Sequence, residues 1–533
     1  MRYKAFLYAA IVALGGFVFG LDAAVISGTV RFITSEFDLS DLQVGAVVSA
    51  PGFGVIFALL LTGILADKWG RKKTLQLIAL LYLLSALWSA LAPDFINLVA
   101  ARFLGGLAFT SLTLAAMYIG EIAPSHMRGK LVAMNQINTV VGLSAAYFVN
   151  YLILKASNSG AAWVTNLGIE QYTWRWMLGS EIIPAAIWFV LLFIIPRSPR
   201  WLIFNGKMEE AKQVMATIMP ASDIPKEVKN IQENIALAGS DHSIKAQLKK
   251  LFSAGMRSTF WLGLAFAIVQ PITGINAILF YAPTVFEQLG IGTDAAFMQA
   301  VFVGVVSLVF ASLALLLIDR IGRRPMTLFG LLWAVVSLGL CAYGFRCATY
   351  TITPESITAL HEVVDTDHLA GLVGIEYTSD VGFKKALGEA LGEHAVRDHG
   401  SILLQSSAEM PVTLILIGIL SFIAAFQFSV GPIMWIVFSE IFSTQVRAVA
   451  IPAFALVVSI VSYFVQQFFP WQLTNMGASD IFLFYAITSA IGFIALFRLL
   501  PETKNKSIEE IEEILKVKSI QSEFPKAETV LQE

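Results

Sequence analysis

Long apolar runs follow one another along almost the whole chain, each closed by a short cluster of charged or turn-forming residues. A helix needs roughly 20 apolar residues to cross a bilayer. Runs of that kind fall near 5–29, 42–66, 74–92, 96–119, 131–153, 175–195, 258–286, 296–318, 325–346, 411–438, 448–470 and 480–500. The pattern predicts about twelve transmembrane helices, an all-α polytopic membrane protein with the lipid bilayer as its solvent. Composition agrees, since a hydrophobic share of 57%, a charged share of 14% and a mean hydropathy of +0.72 lie far outside the soluble range. The first run follows Arg2 and Lys4 as a signal peptide would, but more runs come after it, and it reads as a retained helix.

Loop charge sets the expected orientation, because short basic loops stay in the cytoplasm. "DKWGRKK" at 67–73, "MRGK" at 127–130 and "DRIGRR" at 319–324 lie on even-numbered connections, whereas the odd connections near 30–41 and 287–295 are mostly acidic. Both termini are therefore expected in the cytoplasm. Cys341 and Cys347 do not suggest a disulfide, and a net charge of −2 makes no case for nucleic acid.

The chain also repeats itself. Asp67, Gly70 and Arg71 recur as Asp319, Gly322 and Arg323, an offset of 319 − 67 = 252, and Glu121 and Arg128 recur as Glu440 and Arg447 with the same internal spacing. Two six-helix halves in parallel repeat are implied, the arrangement of alternating-access transporters. The second offset, 440 − 121 = 319, is larger mainly because of the segment 348–410. Helix breakers recur too: Gly15, Gly16 and Gly20 in the first run, Gly105 and Gly106 in the fourth, Pro271 and Gly274 in the seventh, Gly431 and Pro432 in the tenth. Interrupted backbone at membrane depth is tolerated where it lines protein or a cavity, so these four helices are expected around a central path.

One residue demands a partner. Asp22 stands inside the first run, where an ionised group costs at least ~2.5–3.5 kcal/mol unless it faces a polar cavity or an opposite charge. In this region, and in "DKWGRKK", "RFLGG", "GEIAPSHMRGK", "PRSPRWLIFNGK", "QPITGIN", "DRIGRRP", "GPIMWIVFSEIF" and "PETKNKSIEE", the chain resembles the sugar porter family of the major facilitator superfamily over nearly its whole length. The resemblance implies two six-helix bundles, a central site open alternately to each side, and a sugar or polyol as small-molecule substrate. In members similar to proton symporters an acid at the place of Asp22 pairs with the arginine opening "RFLGG", here Arg102. Arg keeps its proton, so it would hold Asp22 ionised until a proton or a rearrangement separates them; a purely structural ion pair is the other reading. Asp67, Arg71, Glu121, Arg128, Asp319, Arg323, Glu440 and Arg447 are expected to form a cytoplasmic charge latch between the halves. The acid of the family's "PESPR" is Arg197 here, which rewires one side of it.

The same resemblance assigns substrate contacts to Phe19, Gln270, Asn276, Phe426 and Trp435, amides for hydroxyls and aromatic rings for apolar sugar faces. Several partners depart from the pattern: Leu143 and Pro271 stand where glutamines are usual, Ser307 replaces an asparagine, and Val458–Ser459 a polar–aromatic pair. Fewer donors imply weaker hexose binding or a different ligand shape.

The domains expected are a bundle at 1–196, a cytoplasmic linker with short helices at 197–257, a bundle at 258–506 with an external insertion at 348–410, and a tail at 507–533. Ser507 and Glu510 form a helix-starting capping box, with a flexible chain beyond about 519. The insertion is unusual for the family and should hold at least two helices. Its His361, His368, His394 and His399 suit a solvated polar face better than a metal site, and no metal is expected. No nucleotide loop or nucleophile–base constellation points to an enzyme or a cofactor. The reading is a monomeric proton-coupled importer in the cytoplasmic membrane; the alternatives are a uniporter with a structural Asp22 and a non-transporting nutrient sensor.

Overall fold

The described residues of the computed structural model are 2–123, 127–238, 244–361, 364–507 and 510–515. Among them eleven helices are long and apolar enough to cross a membrane. The first to fifth spans are Lys4–Gly28, Asp41–Trp69, Arg71–Ala90, Phe95–Ile122 and Gly129–Ser157. The seventh to twelfth are Arg257–Phe280, Thr293–Ile321, Arg323–Arg346, Val412–Ile441, Val449–Asn475 and Ala478–Leu499. The sixth run is instead two short helices, Thr173–Gly179 and Ile182–Leu191, interrupted at Ser180–Glu181. Pro184 lies in the first turn of the second piece, where a missing N–H breaks no intrahelical bond. Outward-facing Leu60, Ile64, Ile183 and Leu316 are exposed, as lipid-facing side chains are.

Packing repeats between the halves. The first span packs on the fifth, the second on the fourth and the third on the sixth; the seventh packs on the eleventh, the eighth on the tenth and the ninth on the twelfth. The halves meet where the second span touches the eleventh and the fifth touches the eighth. Contact between the first and fifth spans is backbone to backbone: a Cβ at Gly20 would lie 1.9 Å from the Thr139 carbonyl oxygen, and one at Gly142 would lie 2.0 Å from that of Phe17. The glycines of the first span thus permit close approach rather than interruption, and its helix runs unbroken over Arg2–Val25. Breaks do occur in the other three: between Leu107 and Ser111 in the fourth span, at Thr273–Gly274 in the seventh, where Gly274 has φ 84°, and at Ser429 in the tenth.

Short helices at Pro199–Phe204, Met208–Ile218, Ile224–Ala238 and Ile244–Leu251 link the halves. The tail beyond 515, expected to be flexible from about 519, lies outside the described residues, as does the Arg128 side chain. The Ser507 hydroxyl accepts from the Glu510 amide and the Glu510 carboxylate from the Ser507 amide, closing a capping box. "Basic face" below means the end carrying the Asp67–Arg71 and Asp319–Arg323 loops, and "insertion face" the other.

The insertion folds around its own core. Its neck is an antiparallel sheet, with β1 (Thr349–Thr351) central between β2 (Glu376–Tyr377) and β3 (Ala408–Glu409), Tyr350 opposite Tyr377 and Thr349 opposite Glu409. Helices at Pro354–Leu360, Asp380–Leu391 and Glu393–Ser407 close over Tyr350, Leu360, Leu369, Phe383, Leu387 and Leu403. The Tyr350 and Phe383 rings stack at 5.5 Å. Among the described residues no group of His, Cys, Asp and Glu could hold a metal. Because β1 and β3 bring the two ends of the insertion side by side, replacing 352–405 with a short Gly/Ser bridge should leave a membrane-inserted protein, checked by expression in the membrane fraction and size-exclusion elution. Loss of insertion would make this segment part of the folding core.

Candidate functional site

Asp22 is wholly buried in the first span and Arg102 nearly so in the fourth. An Arg102 Nη1 hydrogen donates to Asp22 Oδ1, and Nη2 donates to the Asp22 carbonyl oxygen at 3.3 Å. A third charge-bearing group joins them. The break in the sixth run places a second buried acid, Glu181, beside the Asp22–Arg102 pair. Asp22 Oδ2, Glu181 Oε1 and Arg102 Nε are buried without a hydrogen-bond partner. Two acids and one guanidinium are buried together here, so with both acids ionised one negative charge would be buried without a cation. Gly105 leaves room for Ser85, whose Oγ would lie 2.6 Å from a Cβ there and which donates to the Ala101 carbonyl at 2.8 Å.

A second set of polar groups faces the seam between the halves. Spans five and eight touch where the Ser144 hydroxyl donates to the Gly304 carbonyl at 2.8 Å, then part toward the basic face. The narrow cleft left between them is lined by Gln136, Ile137 and Val140, by Leu308, Ala311, Ser312 and Leu315, and by Gln427 and Pro432 of span ten. An apolar wall with a few amides and hydroxyls is the usual character of a site for a small polar molecule. The expected substrate residues lie outside this lining. Phe19 meets Phe109 edge to face at 4.7 Å, Phe426 is buried, and Trp435 is half exposed against Phe438. Gln270 Oε1 is buried with no partner, and Asn276 donates to Ser462 at 2.6 Å, where Gln466 also donates at 2.8 Å. Leu143 is buried.

The charge sets close within their own halves. Arg71 binds Asp67 at 3.1 Å and Glu121 at 3.0 Å; Arg323 binds Asp319 at 3.0 Å and Glu440 at 2.8 Å. Arg447 donates to the Phe442 carbonyl at 3.1 Å rather than to Glu440. Ser198 donates to Glu121, as Thr503 does to Glu440 at 2.6 Å. One residue earlier the halves differ in sign, since 503 − 198 = 305 and 502 − 197 = 305. Glu502 accepts from the Arg323 and Arg324 amides at the start of span nine, each at 3.1 Å, a favourable place for an anion. Arg197 cannot do this for span three and pairs with Glu210 of the linker at 3.4 Å. Across the insertion face the halves are joined by Tyr147 to the Leu279 carbonyl at 2.6 Å, Ser49 to Gln467 at 2.8 Å and Arg31 to Glu287 at 3.5 Å. Burial pushes the Glu287 carboxyl above the usual carboxylate range, with Arg31 opposing part of that shift.

The profile of the family described as "Sugar (and other) transporter" matches residues 8–360 and 399–515. The chain belongs to that family. It is a multi-pass membrane transporter, not an enzyme. The match passes over 361–398, most of the insertion. The arabinose-proton symporter of Bacillus subtilis is 31% identical over 509 residues, 95% of this chain and 94% of that protein. The D-xylose-proton symporter of Escherichia coli K12 is 30% identical over 536 residues, 94% of each. Among solved structures, the inward open conformation of the xylose transporter XylE from E. coli superposes with a TM-score of 0.70 at 27% identity, covering 96% of this chain and 99% of that one.

Sequence reasoning brought Asp22 and Arg102 together but missed Glu181, although an acid within the sixth apolar run was itself a signal. It also missed Gln136, Gln427, Ser462 and Gln466, whose position depends on which helix faces turn inward. Glu181→Gln keeps the size of the side chain and offers an amide donor beside the unpartnered Asp22 oxygen, and thermal unfolding in detergent should stay close to the parent. Glu181→Ala leaves the Asp22 oxygen facing a void and should cost about 1–3 kcal/mol. Equal melting of Glu181→Ala and the parent would separate the two acids.

Proposed function

We propose that this transporter imports a sugar or polyol across the cytoplasmic membrane together with a proton, as a monomer with both termini in the cytoplasm. The observation carrying the proposal is the buried Asp22–Arg102 pair with a second buried acid, Glu181, beside it: one fixed positive charge and two acids. Arg102 holds Asp22 as an anion; protonation of Asp22 removes the Coulomb attraction and leaves a neutral hydrogen bond. Spans one, four and six are then free to shift against each other, which a permanently paired set resists. The substrate is held along the seam, by Gln136, Ser312 and Gln427 in the cleft and by Gln270 and Asn276 of span seven, with Phe19, Phe426 and Trp435 as aromatic contacts. Amides on an apolar wall suit hydroxyls on a hydrocarbon ring. The charge sets of the basic face, with Asp67, Arg71, Glu121 and Arg128 in one half and Asp319, Arg323, Glu440 and Arg447 in the other, brace the helix ends that close when the opposite face opens. Basic loops between even- and odd-numbered spans support the cytoplasmic placement of this face, and the named arabinose-proton and xylose-proton symporters support the substrate class.

Asp22→Asn tests the coupling. It keeps size and hydrogen bonding but removes the titrating group, so accumulation of labelled sugar against a gradient should be lost while counterflow exchange persists. Retained accumulation would place the coupling proton elsewhere. Loss of exchange and of thermal stability together, on the order of 3–5 kcal/mol for a stranded buried charge, would mark the pair as structural.

A further inference from the structure

The insertion belongs by chain connection to the second half, yet it reaches the first. Its Asp380–Leu391 helix is anchored to the second half, with Lys384 donating to Gln288 at 2.6 Å and Asp380 accepting from the Ala478 amide at 3.3 Å. The following Glu393–Ser407 helix lies over the junction. Thr293 of the second half donates to Ser401 at 3.3 Å, and Gly290 and Gly292 pack against Leu404 and Gln405. One to two turns back along the same helix, Arg397 donates to Asp38, Ser35 donates to Asp398 at 2.8 Å, and Arg31 donates to the Asp398 carbonyl at 3.4 Å. His394 Nδ1 lies 3.4 Å from Asp38 Oδ1. Arg31, Ser35 and Asp38 all belong to the first half, on the Val30–Glu36 helix and the turn that follows it. Asp38 sits there at φ 49°, a left-handed conformation that Asp tolerates better than most residues.

We propose that the insertion is a clasp across the insertion face, carried by the second half and closed on the first through Arg397, Asp398, Ser35 and Asp38, and that its strength sets how readily that face opens. The face cannot open without breaking these contacts, because their two sides move with different halves. They suit a reversible clasp: the Asp38 and Arg397 side chains are 63% and 30% exposed, so water replaces each partner as the pair separates. The four-span junction of Tyr147 with Leu279 and Ser49 with Gln467 joins the same two halves. A family profile that passes over 361–398 leaves this function to the chain's own addition.

The inference rests on the alternating-access reading of the two halves but not on the identity of the sugar or on proton coupling, and its test needs neither. In a Cys347→Ser background, Ser49→Cys places a thiol at a site now wholly buried between spans two and eleven, and its maleimide labelling rate in detergent reports opening of this face. Arg397→Asp should raise that rate by roughly three- to tenfold, the range expected for losing a few partly exposed polar contacts, and raised ionic strength should move the parent the same way. The exchanged pair Asp38→Arg with Arg397→Asp should bring labelling back toward the parent. An unchanged rate in Arg397→Asp, or an exchanged pair labelling faster than either single variant, would overturn the clasp. Because both readouts are ratios on folded protein of matched elution volume, a failure of sugar transport alone leaves them intact.

Discussion

Asp22 and Arg102 face each other where water is excluded, and neither charge is tolerable there without the other. Their pairing dictates which helices must converge. Asp22 comes from the first span, Arg102 from the fourth, and the second acid, Glu181, from a break in the sixth. Close approach follows from small residues at the crossing points: Gly105 leaves room for Ser85 of the third span, and Gly20 and Gly142 let the first and fifth spans touch through backbone. The first half is therefore organised around a polar centre to which three of its helices contribute.

Among the described residues the second half shows no such intramembrane centre, and its regular helix pairings copy those of the first. Asymmetry between the halves is also visible at the basic face. Glu502 stabilises the start of span nine through two backbone amides, while Arg197, at the equivalent place, turns away to the linker. Charge at a helix start is favourable only when negative, so the same fold position cannot serve the same purpose with an arginine. The two sides of the transporter are then held by different partners, the second half by Glu502 and Thr503 and the first through Ser198 and the linker helices.

Much of the architecture was legible because lipid leaves few choices: apolar runs of span length become helices, and duplicated charge spacings betray duplicated bundles. Asp22 and Arg102 were legible for the same reason, since an intramembrane charge requires a partner. Glu181 was not singled out because the sixth run reads as one apolar stretch until Ser180 and Glu181 are seen to interrupt it. The glycines of the first span signalled a broken helix and instead mark close contact, a distinction that depends on which neighbour lies opposite. In the insertion the helical patterns "TPESITALHEVVD" and "DVGFKKALGEALGEHAVRDHG" were readable, the second divided at Gly392 with φ 85°. Strands of two or three residues carry too little periodicity to find, and bonds to Asp38 from some 360 positions away carry none.

The central claim is that the buried acids carry a proton each time a sugar enters. The most direct measurement is the pH outside sealed proteoliposomes holding the wild-type protein, followed as pentoses, hexoses and inositols are added in turn. The account predicts alkalinisation with each transported compound, in proportion to its entry. Entry of a compound with no change in external pH would contradict it, and would leave Asp22 and Arg102 as the structural pair of a uniporter.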